Sequence, residues 1–158
     1  MALISYSAYE IVKVAIEIEK NGYQFYRKAA NLTRSSPVAE LFRSLAEEEI
    51  QHQAFFEGLA KLISHKENAE ITPPDEYLSA IADASIIQQK RGLKLIAEKR
   101  LTDQEALDIA VQVEKNAILY YTELLRFVTE KEKGMVEELV AEEKKHLTTL
   151  TSIAKNLT

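Results

Sequence analysis

The tetrad Glu49-Ile50-Gln51-His52 places a carboxylate and an imidazole three residues apart. Ninety-four residues later, Glu143-Lys144-Lys145-His146 does the same. Residues three apart share one face of an α-helix, so each pair can grip a metal ion from one side. Two further glutamates sit on apolar stripes. Glu19 has Val12, Ala15, Ile16, Gly22, Tyr23 and Tyr26 three, four and seven positions away. Glu114 has Leu107, Ala110, Val111, Ala117, Ile118 and Tyr121 at the same spacings, and Glu143 has Val136, Leu139, Val140, Leu147 and Leu150. Glu17, by contrast, is flanked by Lys13, Lys20, Asn21 and Gln24 and reads as solvated. Between Glu48 and Glu49 the neighbours alone do not decide, and correspondence with Glu143 selects Glu49.

Four glutamates on inward stripes need a reason. A lone buried carboxylate takes up a proton or destabilises the fold. Four at one depth would repel one another, and no lysine lies on these stripes to offset them. Two divalent cations would cancel the four charges, with both imidazoles neutral. The expected ligand set is therefore Glu19, Glu49, His52, Glu114, Glu143 and His146 around two metal ions. Oxygen-rich donors with some imidazole and no sulfur suit iron or manganese better than structural zinc. Tyr26 and Tyr121 stand two turns after Glu19 and Glu114. Their phenols either pack simply or donate to a ligand carboxylate. His65, the third histidine, has no counterpart and is expected at the surface.

The positioning elements can be read in order. Ser7 and Glu10 form a capping box that opens a helix running to about Leu32. Ser36-Pro37 gives an N-cap followed by proline in the first turn of a second helix, which runs to about His65. Thr72-Pro73-Pro74-Asp75 breaks any helix. Weaker helical fragments around Tyr77–Ala84 and Ile86–Lys99 make residues 66–101 a crossover along the bundle. Thr102 with Glu105 is a second capping box and opens the third helix; Gly134 marks the turn into the fourth. Ala15–Tyr26 resembles Ala110–Tyr121, so the helical hairpin is repeated. A repeat of this kind implies a pseudo-twofold axis, and the repeated ligands converge where that axis crosses the core. The expectation is all-α: an antiparallel four-helix bundle with a long crossover between helices 2 and 3, one domain spanning residues 1–158.

Composition agrees. With 4 glycines, 3 prolines and 46% apolar residues in 158, the chain reads as mostly helical. A net charge of −5 would repel phosphate backbones, so nucleic acid is not an expected partner. The absence of cysteine excludes disulfides, thiolate metal sites and a cysteine nucleophile. Met1–Glu10 lacks a basic start followed by an apolar run, and no apolar stretch is long enough to span a bilayer. No membrane partner and a cytoplasmic location are expected.

The pattern resembles the ferritin-like di-iron carboxylate class, in which one Glu from each of two helices joins a Glu-x-x-His from each of the other two. Within it, Ile16-Glu-Ile-Glu-Lys-Asn-Gly-Tyr-Gln-Phe-Tyr26 and Ala46-Glu-Glu-Glu-Ile-Gln-His52 resemble the rubrerythrin branch. The resemblance covers all four main helices and implies that the six residues above are iron ligands. There are two departures. Rubrerythrins add a second Glu one turn after the third-helix ligand, where this chain has Ala117. They also carry a rubredoxin domain with four cysteines, and this chain has none. The resemblance thus implies a symmetric site, closer to the bacterioferritin type, fed by a separate electron donor. The expected function is an oxidoreductase of peroxidase or ferroxidase type, consuming O2 or peroxide in oxidative-stress defence or iron handling. The alternatives are iron or manganese binding or storage without turnover, and a structural bundle with a relict site. With no fifth helix after residue 157, a homodimer is expected rather than a shell.

Overall fold

The computed structural model describes residues 6–64, 71–72 and 76–157. Among these residues five helices follow one another: α1 (Ala8–Leu32), α2 (Ser36–Ser64), α3 (Glu76–Ala97), α4 (Asp103–Leu124) and α5 (Glu130–Leu157). A short 3-10 turn, Leu125–Phe127, follows α4. Two dipeptides, β1 (Tyr6–Ser7) and β2 (Ile71–Thr72), pair antiparallel and tie the start of α1 to the segment before α3.

The helix starts have local causes. The Ser7 hydroxyl accepts from the Glu10 N–H while Glu10 accepts from the Ser7 N–H, and Thr102 and Glu105 repeat this reciprocal cap. α1 closes at Thr33, whose N–H and hydroxyl both reach the Ala29 carbonyl. The Arg34 and Ser35 N–H groups then donate to the Asp103 carboxylate at 3.1 and 2.9 Å, which anchors the α1–α2 turn to the start of α4. α2 begins at Ser36, one residue earlier than expected, because Ala39 N–H bonds the Ser35 carbonyl.

Two expectations are corrected. Gly134 is not a turn. It lies inside α5, which begins at Glu130. The signal overlooked is a third capping box: Thr129 N–H donates to Glu132 Oε2 at 2.9 Å, and Glu132 N–H approaches the Thr129 hydroxyl at 3.4 Å. The crossover is not two fragments but one continuous helix, α3. Ser85 and Gln89 interrupt its apolar pattern, yet both are buried, and Gln89 Nε2 donates to the Ile18 carbonyl of α1 at 2.7 Å. α3 stops at a left-handed Lys99, with Arg100 N–H returning to the Leu95 carbonyl. His65 and Pro73–Asp75 lie outside the described residues.

α1, α3 and α5 run one way and α2 and α4 the other. α3 packs over α1 and α4, and Gly92 permits this approach. A Cβ there would stand 2.7 Å from the Phe25 ring and 3.2 Å from Ile109. The apolar core is divided into two lobes. One gathers Ile11, Ala15 and Ile18 with Phe56, Ile63, Tyr120, Leu124 and Val136. The other gathers Phe25, Ala29, Phe42, Leu45, Leu107, Ala110 and Leu150. Each large side chain buried in them contributes about 1.5–3 kcal/mol. What lies between the two lobes is polar.

Candidate metal centre

The layer between the lobes consists of Glu19, Glu49, His52, Glu114, Glu143 and His146, all buried. α1 and α4 each supply one carboxylate, and α2 and α5 each supply a Glu-x-x-His pair. All six predicted residues therefore meet at one height. Their donor atoms form two overlapping groups, Glu19–Glu49–His52–Glu143 and Glu49–Glu114–Glu143–His146, with the atoms of each group within 4.8 Å of one another. Glu49 and Glu143 belong to both. Glu143 faces both halves: Oε1 is 2.9 Å from His52 Nδ1, and Oε2 is 3.1 Å from His146 Nδ1. That is the arrangement of two cation positions sharing two carboxylates, each completed by one further Glu and one His.

The imidazoles are held crosswise. His52 Nε2 of α2 donates to Glu142 of α5 at 2.8 Å, and His146 Nε2 of α5 donates to Glu48 of α2 at 2.6 Å. With Nε2 engaged, each ring points Nδ1 into the carboxylate layer; a carboxylate behind a ligating imidazole fixes its tautomer in this way. The rings stack with centroids 6.0 Å apart. Sequence reasoning missed Glu48 and Glu142 because both face solvent in part. The signal was present: they are separated by the same ninety-four residues as Glu49 and Glu143.

The two tyrosines cross between halves as well. Tyr26 of α1 donates to Glu114 of α4 at 2.5 Å, and Tyr121 of α4 donates to Glu19 of α1. Burial, reinforced by the surrounding carboxylates, pushes both phenols well above their ordinary range, so they remain donors. Gly22 gives Glu49 its place, since a Cβ there would stand 2.5 Å from Glu49 Oε2.

Without cations the layer is strained electrostatically. Burial, then the charges of Glu19, Glu143 and Glu114, raises Glu49 well above the usual carboxylate range. Burial and the Glu143 charge push Glu114 up to about 8. Burial works against charge on Glu143 too, but hydrogen bonds from Glu114 and His146 and the close approach of His52 outweigh it and hold that carboxyl below its ordinary value. Burial opposes charge on the histidines, yet the nearby Glu143 and Glu19 carboxylates raise His52 to about 11, and those of Glu114 and Glu143 raise His146 to about 11. Protons thus do the work of neutralisation, and they do it incompletely. Glu19 Oε2, Glu143 Oε1 and His52 Nδ1 are buried without an aligned hydrogen bond among the described residues. Buried donor atoms left over in this way, in an oxygen-rich set with two imidazoles, fit a pair of divalent cations.

Comparison with known proteins agrees with this geometry. Residues 10–154 match the family model for rubrerythrin. The chain belongs to the rubrerythrin family. This rubrerythrin-family chain is also similar to a solved structure from Thermotoga maritima, described as a candidate ferritin-like diiron-carboxylate protein. The two share 25% identity over 98% of each chain, with a TM-score of 0.77. No curated protein matches the sequence. Among the described residues, no helix is long and apolar enough to cross a membrane.

Proposed function

We propose that this rubrerythrin-family chain is a di-iron oxidoreductase that reduces O2 or peroxide, in oxidative-stress defence or iron handling, with electrons from a separate donor. The observation that carries the reading is the sharing of Glu49 and Glu143 by two donor groups of equal make-up. A single-ion or structural site has no use for that sharing. When bound, iron would supply one electron from each ion to the oxidant. The chain's own groups account for the rest. Glu19, Glu49, Glu114 and Glu143 balance the charge of two divalent ions, and His52 and His146 offer neutral Nδ1 atoms once their protons leave. Tyr26 and Tyr121 hold Glu114 and Glu19 by one oxygen each, leaving the other free to ligate. The apolar lobes on either side restrict water and so limit side reactions. The similarity to a diiron-carboxylate protein favours iron over manganese. The protein would act in the cytoplasm, which cell fractionation tests.

The test is elemental analysis of the purified protein, followed by anaerobic Fe(II) loading and addition of peroxide. Two irons per chain and a new ferric absorption band are expected. The double variant Glu49→Ala/Glu143→Ala should fold and hold neither ion. Failure of the wild type to bind Fe(II), or two-ion loading by the double variant, overturns the proposal.

A further inference from the structure

The six residues of the buried layer follow the repeat, but the surface above them does not. Of the neighbouring helix pairs around the layer, α2 and α5 approach each other least. A groove of about 420 Å³ lies between them, lined by Leu41, Ser44 and Glu48 of α2 and by Glu142, His146 and Thr149 of α5. That is room for several waters at about 30 Å³ each, so a divalent ion can enter with part of its hydration shell. The groove reaches His146, and its lining does not include His52.

The sequence accounts for the one-sidedness. Thr149 and Phe55 are separated by the same ninety-four residues as the two histidines, and each stands three residues after its histidine. Thr149 is short and exposed. Phe55 is half-buried, packed against the lobe that holds Phe56 and edge-on to that ring, with centroids 5.1 Å apart. One half of the molecule thus has a ring where the other has an opening. The two donor groups are alike in make-up but unlike in how they meet solvent.

Charge favours the same approach. Glu48 and Glu142 line the groove together with Lys145, two acids against one base, and a cleft with an excess of one sign concentrates its counter-ion. An ion arriving there meets His146, whose ring Glu48 holds at 2.6 Å, and then the Glu49–Glu114–Glu143–His146 donor group. The group with Glu19 and His52 lies beyond the shared Glu49 and Glu143. In that layer Glu19 Oε2 and Glu143 Oε1 are buried without an aligned hydrogen bond.

We propose that divalent ions enter the centre through the α2–α5 groove on the His146 side, and that the seat built on Glu114 and His146 fills before the seat built on Glu19 and His52. Thr149 keeps this entrance open, and Phe55 keeps its counterpart shut. The proposal rests on the two-ion reading of the centre but not on any reaction of the ions.

The experiment follows Co(II) uptake by the metal-free full chain in stopped flow, with equilibrium titration of the same samples. The wild type should take up two ions in two phases. In Thr149→Phe a phenyl packed over Leu41 and Leu45 leaves the groove open about a tenth of the time, so the fast phase should slow about tenfold. Exit slows equally, so two ions still bind with unchanged affinity. Lys145→Glu, at an exposed position, should quicken the fast phase about threefold at low salt and lose that gain at high salt. Phe55→Thr should open a second entrance and quicken the slow phase. Uptake rates unchanged in Thr149→Phe or in Lys145→Glu overturn the route, and these two variants decide it even if Phe55→Thr does not fold. A folded Phe55→Thr with an unchanged slow phase overturns the blocking role of Phe55, and wild-type uptake in a single phase overturns the order of filling. A wild type that binds no Co(II) at equilibrium sinks the two-ion reading itself, and this proposal with it.

Discussion

Gly22→Ala separates the metal centre from the fold. The added Cβ would stand 2.5 Å from Glu49 Oε2 and 3.2 Å from its Cδ. Ordinary contact requires the carboxylate to retreat by about 0.9 Å. In the metal-free protein this retreat is cheap, because the obstructing atoms are the far end of a flexible side chain. Gly22 has no positive φ, so the helix itself gains about 1 kcal/mol from alanine. Metal binding should respond in the opposite direction. Ligand distances tolerate shifts of only about 0.2 Å, and Glu49 serves both donor groups. Even disturbing a group behind a ligand costs about 10–100-fold in affinity, so displacing a shared ligand should cost at least that for one of the two ions. The assay pairs calorimetric melting of the metal-free protein with titration of Fe(II) or a redox-inert divalent ion. The expected result is an unchanged or higher melting temperature with weaker, sub-stoichiometric loading. The repeat supplies a control, since the counterpart of Gly22 is Ala117. Ala117→Gly should lower stability by about 1 kcal/mol and leave two-ion loading intact. Wild-type affinity and stoichiometry in Gly22→Ala would refute the reasoning.

Three further outcomes are expected. The double variant Glu48→Ala/Glu142→Ala releases both Nε2 atoms and should lower metal affinity about 10–100-fold, with little change in metal-free melting; unaltered affinity would deny these carboxylates a positioning role. In the metal-free protein, His52 and His146 are raised to about 11 from 6.5, and Glu114 to about 8 from 4.5. All three folded values lie above the unfolded ones. The histidine contribution to stability is complete below 6.5 and is lost as pH rises through 11, and the Glu114 contribution is complete below 4.5 and lost through 8. Metal-free melting temperature should therefore fall from neutral to alkaline pH, and ion loading at neutral pH should expel the imidazolium protons together with those held by Glu49 and Glu114, as titration calorimetry in buffers of different ionisation enthalpy would detect. Finally, Gly92→Ala brings a Cβ to 2.7 and 2.9 Å from the Phe25 ring, which is fully buried and packed edge-on against Tyr26 and Phe42. Overpacking costs about 1–3 kcal/mol, more than alanine's gain in helix propensity at contacts this short, so melting should drop while two-ion loading persists.

The six residues that meet in the buried layer were legible because they recur. Glu49 and Glu143 could be chosen over their neighbours through the repeat, and Glu19 and Glu114 stood on unbroken apolar stripes. The capping boxes at Ser7 and Thr102 gave helix starts directly. Other features failed for identifiable reasons. Gly134 was weighted as a breaker, but the Thr129–Glu132 box nucleates α5 upstream, and an exposed glycine within a long helix costs only about 1 kcal/mol. α3 looked interrupted at Ser85 because buried polar groups mimic a solvated face in sequence; the Ile18 carbonyl that receives Gln89 lies on another helix. Glu48 and Glu142 were hidden for the converse reason. They are partly wet, and their work is done across the bundle, where local periodicity carries no information.

Neither hairpin owns a complete cage for an ion. The first supplies Glu19, Glu49 and His52 to one position and waits for Glu143; the second supplies Glu114, Glu143 and His146 and waits for Glu49. A half-chain bundle could therefore hold a cation only by borrowing from its counterpart. The ions would act as rivets, fastening together two pieces of one polypeptide built on a repeated pattern.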